Sequence, residues 1–134
     1  MIAALSRRSP AERRLLACVA LLYMLTHLLL RFCSFQQTRS NVRGVAKKLG
    51  VSARDVQQLT WCIDRVQHVL PGRHSCLVNA LVCDAVANVS GIPVDFRLGA
   101  ARDEAGHRFH AWIEYNGLTI IGFEHAAFTP FPNV

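Results

Sequence analysis

After an opening stretch that ends in a basic cluster, MIAALSRRSPAERR, positions Leu15 to Leu30 run without a formal charge. Read as a helix, this uncharged run spans ~24 Å, short of the ~30 Å hydrocarbon core of a bilayer. No small-residue cleavage site follows it, and Arg31, Phe32 and Cys33 form no lipoprotein box, so it does not read as a signal peptide. Residues 36 to 43, QQTRSNVR, read as a polar connection, and helical spacing returns at Val45–Leu49 and Ser52–Leu70. In the second of these, Val56, Leu59, Ile63, Val66 and Leu70 form an apolar stripe opposite Arg54, Gln57, Gln58 and Arg65. Pro71-Gly72 ends it. A third, apolar helix is predicted from Cys76 to Val89, with Ser75 as its N-cap and Gly91 as its stop. The period then changes to two. Strands are expected over Ile92–Leu98, Phe109–Tyr115 and Leu118–Phe123, and Asn116-Gly117 between the last two is a hairpin signal. Helices followed by a helix and at least three strands make an α+β arrangement.

Length and composition narrow this picture to a single domain over residues 1–134, helical in its N-terminal part, 1–70, with the strands in 71–134. With 51% hydrophobic and 18% charged residues, the chain has material for a core and is not of disordered composition. Charge is divided unevenly. Residues 1–74 carry 12 Lys/Arg against 3 Asp/Glu, a balance of +9, and residues 75–134 carry 3 against 6, a balance of −3, which sum to the net +6. A basic first half suits an acidic partner or an anionic surface. The five cysteines are odd in number and include neither a Cys-x-x-Cys pair nor a zinc spacing with the histidines, so no disulfide framework and no metal site is expected. If they share a helix, Cys76 and Cys83 lie ~10 Å apart, too far to bridge. Reduced thiols point to the cytoplasm.

The chemistry sits in the second half. Cys76 falls at a helix start after Arg73-His74, where the helix dipole, free backbone N–H groups and nearby positive charge favour a thiolate. Cys83 on the same helix reads as an inert core residue. Strand alternation puts His110, Trp112 and Glu114 on one face, so His110 is a candidate base for the thiol proton and later an acid for a leaving amine. A third group should orient the imidazole. If Gly117 takes the bulge position of a three-residue turn, residues 115 and 119 pair and Glu124 lies opposite His110. A two-residue turn would instead bring Phe123 there, which leaves Glu114 as the alternative acid.

Four stretches together resemble the transglutaminase-like leader peptidases of lasso-peptide biosynthesis, in their stand-alone form. They are Ser75-Cys76-Leu77-Val78-Asn79-Ala80-Leu81, Gly91-Ile92-Pro93-Val94, Gly106-His107-Arg108-Phe109-His110-Ala111-Trp112-Ile113-Glu114 and Phe128-Thr129-Pro130-Phe131. The resemblance implies a papain-like thiol mechanism on a transglutaminase-like core, with N-terminal helices packed against it and the nucleophile at a helix N-terminus followed by an antiparallel sheet. Cys76 would attack the bond joining leader and core of a ribosomally made precursor, His110 would be base and acid, and the Cys76 backbone N–H would serve the oxyanion. No cofactor is implied. The family usually carries an aspartate at the position that aligns with Gly122, and this sequence departs from it; Glu124 is the nearest carboxylate on that strand.

The partners implied are the precursor peptide, a leader-recognition protein and an ATP-using macrocyclase similar to asparagine synthetase. No winged-helix recognition domain precedes the peptidase motifs, so that protein is expected as a separate chain. Residues 15–30 and their basic flanks then suit covering the core, docking a partner or lying on a membrane surface. Two other readings compete. Gly44 to Gln58 has the form of a helix-turn-helix, but offers only Arg54, Gln57 and Gln58 to base edges, and nucleic acid is not expected as a partner. Other Cys-His acyl transfer, of the transglutaminase or arylamine acetyltransferase type, shares the same residues, and so does a catalytically inactive binding module.

Overall fold

The computed structural model describes residues 9–69, 76–103, 106–122 and 129–130. In chain order it contains helices α1 (Pro10–Phe32), α2 (Phe35–Leu49), α3 (Val56–Val69) and α4 (Cys76–Ser90), then strands β1 (Asp95–Asp103), β2 (Gly106–Tyr115), β3 (Leu118–Ile121) and β4 (Thr129–Pro130). The strands make one antiparallel sheet in the order β3-β2-β1-β4. This is the α+β class expected from the change of period.

The first helix is longer than its uncharged run. Ser9 caps it by accepting from Glu12 N at 3.2 Å, Pro10 stands where no N–H is needed, and Glu12 lies in the first turn. Its 23 residues span ~34 Å, so by length and apolarity it could cross a membrane, unlike the shorter run. One face, Leu15, Leu16, Val19, Leu22, Tyr23 and Thr26, is buried in the core shared with the other helices. The other leaves Leu21, Met24, Leu28 and Phe32 exposed.

The polar connection expected over residues 36 to 43 is instead the body of α2. Ser34 and Gln37 form a capping box, each side chain bonded to the other's backbone N–H at 3.2 and 3.0 Å. Thr38, Val42 and Ala46, four residues apart, are its buried face. Two of its polar residues reach across the core. Arg43 makes a bidentate pair with Asp84 of α4 at 2.8 and 2.9 Å, and Arg39 adds contacts at 3.4 and 3.3 Å. Sequence periodicity does not register a polar residue whose partner lies in another helix.

The Leu49-Gly50-Val51 turn between α2 and α3 is present. Arg54 pairs with Asp55 at 3.2 Å, and Gln58 accepts from Arg54 N at 2.7 Å. Both side chains therefore secure the start of α3. The bond from Gln58 N and the Arg54 guanidinium also hold the Asp55 carboxyl below its usual range.

Helix α4 is apolar all round and is buried from Val78 to Ala87, the signature of a central helix. Tyr23 of α1 donates to Asn79 Oδ1, and Asn79 Nδ2 donates to Gln67 Oε1 of α3 at 3.2 Å, so three helices meet one turn after Cys76. Burial, with nearby anionic groups, pushes the Tyr23 hydroxyl well above its ordinary range, so it stays a donor. Tyr23→Phe leaves Asn79 Oδ1 short of that donor and is expected to cost about 1–3 kcal/mol in urea unfolding. A loss below a few tenths would show that water replaces the bond.

Helix α4 ends at Gly91 as expected, where Ile92 N–H bonds to Ala87 O at 2.9 Å. The strand that follows begins at Asp95 rather than Ile92, since Pro93 has no N–H for a ladder. The β2–β3 hairpin closes with the two-residue turn. Tyr115 pairs with Leu118, and Asn116 and Gly117 take φ of 51° and 79°. A bulge follows, because Glu114 pairs with Thr119 but Ile113 pairs with Ile121. That bulge supplies the one-residue offset which a three-residue turn would have given.

Candidate active site

Cys76 is the first residue of α4 and is partly exposed, although it packs against the core cluster. Ser75, its expected cap, lies outside the described residues. The β2–β3 ladder has its last pair at Ile113 and Ile121, and beyond it the Ala111 N–H donates to Cys76 Sγ at 3.5 Å. The amide hydrogen is thus aimed at the sulfur. The thiol is thereby held against the residue next to His110.

His110 is buried on β2, an inner strand of the sheet, and is 9% exposed. Its Nε2 lies 3.2 Å from Gly122 O. The ring stacks on Trp112, two residues along the same strand face, with centroids 6.0 Å apart and planes 20° apart. Trp112 in turn donates from Nε1 to Glu114 Oε2 at 2.7 Å, and Arg97 of β1 lies 3.9 Å from the same oxygen. Thus the face predicted to carry His110, Trp112 and Glu114 is formed, with Glu114 fixing the indole that flanks the imidazole. Glu124, expected to orient His110, lies outside the described residues.

Two contributors to the site carry no recognisable motif. Gly122 acts through its backbone, which no side-chain pattern reports. Tyr23, some fifty positions before Cys76, ties α1 to the helix that begins with Cys76 through Asn79; an uncharged tyrosine within an apolar run is the only sequence signal of it.

All five cysteines are free thiols. Cys62 and Cys83 are fully buried, and burial pushes the Cys62 thiol up to about 12 and raises the Cys83 thiol as well. Cys83 is thus the inert core residue expected. Iodoacetamide at pH 6.5 on the native protein should therefore label Cys76 ahead of Cys62 and Cys83, read by peptide mass mapping. Labelling of the buried pair at an equal rate would remove the case for an activated Cys76.

A helix-start cysteine bonded to the amide next to a strand histidine is an arrangement that can form a thioester with a bound acyl group and pass it to water or an amine. Among the described residues, no cluster of three or more His, Cys, Asp or Glu could hold a metal ion. A family model described as the transglutaminase-like superfamily matches residues 20–133. Comparison with curated proteins and with solved structures found no match.

Proposed function

The chain belongs to the transglutaminase-like superfamily, whose members are in general cysteine peptidases and transferases, and from that premise we propose that it is a leader peptidase of lasso-peptide maturation. The observation that carries the reading is the contact of Cys76 Sγ, at the start of α4, with the amide beside His110. The motifs around Cys76, His110 and Phe128 to Phe131 support the peptidase among the superfamily's activities.

In this reading His110 takes the proton of the Cys76 thiol, and the sulfur attacks the carbonyl carbon of the bond between leader and core. The Cys76 N–H, which has no intrahelical partner at a helix start, bonds the oxyanion as it forms. His110 then gives its proton to the departing amine of the core, and the leader remains as a thioester on Cys76. Water, deprotonated by His110, cleaves the thioester, releasing the leader as a free acid and restoring the thiol. The freed core amine is the group a macrocyclase would join to an acidic side chain.

The partners required are the precursor peptide, a leader-recognition protein and the asparagine-synthetase-like cyclase. The row Leu21, Met24, Leu28 and Phe32 on α1 supports work within such an assembly, since it leaves an apolar surface for a partner to cover. Mass spectrometry of precursor incubated with the chain and the recognition protein tests the reading. Free leader acid and free core amine are expected. Leader recovered as an amide of an added amine would assign acyl transfer instead.

A further inference from the structure

The resemblance calls for a carboxylate beside His110 at the position held by Gly122, yet what meets the imidazole there is the main chain. Nε2 of His110 lies 3.2 Å from Gly122 O. A carbonyl oxygen only accepts, so this contact puts the ring hydrogen on Nε2 and leaves the lone pair of the neutral ring on Nδ1. Gly122 has φ of +81°, a conformation that side chains disfavour. A Cβ at Gly122 would lie 2.8 Å from Ala111 O, 2.9 Å from Trp112 Cβ and 3.2 Å from His110 Nε2. The chain could not keep this approach with any other residue at this position. An aspartate here would have to push away the backbone of β2 beside the thiol contact.

We propose that the Gly122 backbone carbonyl is the acceptor that positions His110, fixing the Nε2–H tautomer so that Nδ1 is the atom that takes the Cys76 proton. The proposal rests on the Cys76–His110 reading of the site. Gly122 is a positioning residue, acting through the imidazole rather than on substrate. The carbonyl works with the indole of Trp112, itself tied to Glu114, so the ring is held at its edge by one and along its face by the other. A neutral carbonyl fixes orientation and tautomer as a carboxylate does, but its bond to an imidazolium lacks the added strength of an ion pair. The absence of side-chain volume at Gly122 is then the requirement, and the departure from the family's aspartate is a change of acceptor rather than a loss of one.

The test is the tautomer of His110, read from long-range proton–nitrogen correlations of histidine-labelled protein, with its signals identified by loss in His110→Gln. The proposal expects the Nε2–H form in the wild type and in Glu124→Gln. Gly122→Ala should lose that preference and lower kcat for leader release by at least about tenfold, with KM within about twofold. An Nδ1–H ring in the wild type overturns the proposal, as does loss of the Nε2–H form in Glu124→Gln, which would return the role to that carboxylate. If Gly122→Ala does not fold, the wild type and Glu124→Gln decide. The tautomer is measured without substrate, so the result stands apart from the peptidase reading, which fails by itself if Cys76→Ala still releases leader.

Discussion

Replacing Cys76 with alanine should abolish leader release while leaving the protein folded. The loss is expected to be on the order of 10⁶ in kcat, the scale seen when a nucleophile of this mechanistic type is removed. Residual turnover would come only from binding and oxyanion contacts. Packing is little affected, because Cys76 is partly exposed at a helix start rather than in the centre of the core. Melting temperature should stay within a few degrees, corresponding to about 1 kcal/mol. Cys83→Ala serves as the contrast: its thiol is wholly buried, so it should cost stability and leave the rate per folded molecule unchanged. Leader release by Cys76→Ala at the wild-type rate, measured by mass spectrometry, would rule out thioester chemistry at this residue.

How much of this could be read along the chain depended on whether the cause was local. The helix start at Cys76, the shared face of His110, Trp112 and Glu114, and the turn at Asn116-Gly117 are set by spacing and backbone preference over a few residues, and each is formed. Segment 36 to 43 reads as a connection because the reason for its helix lies outside it: Arg39 and Arg43 gain their partner, Asp84, from α4. Strand register shows the same limit. The turn alone would have set the alignment of β2 with β3, but a bulge three residues later reset it. The acceptor at His110 was further out of reach, since Gly122 contributes a peptide oxygen that every residue possesses, and what distinguishes it is the lack of a side chain.

The buried ion pair makes the largest prediction for stability. Asp84 sits on the helix that begins with Cys76, its side chain 3% exposed, and two guanidiniums satisfy it from α2. The hydrogen bond to Asp84 raises the already high proton affinity of Arg43, so the guanidinium stays charged. Changing Arg39 and Arg43 together to methionine would keep much of the apolar stem packing but strand a carboxylate in the core. Removing the partners of a buried charge costs about 3–5 kcal/mol, here a fall in melting temperature of roughly 10–20 °C. Arg43→Met alone should cost less, because Arg39 still reaches both carboxylate oxygens. Adding Asp84→Leu to the double variant should recover most of the loss, since an apolar replacement of the whole cluster removes the stranded charge. Thermal melts of the three variants decide the matter. If the double variant melts within about 2 °C of wild type, Asp84 is not relying on those arginines. A double variant that melts low, is rescued by Asp84→Leu and regains leader release would instead tie the polar face of α2 to the helix that begins with Cys76.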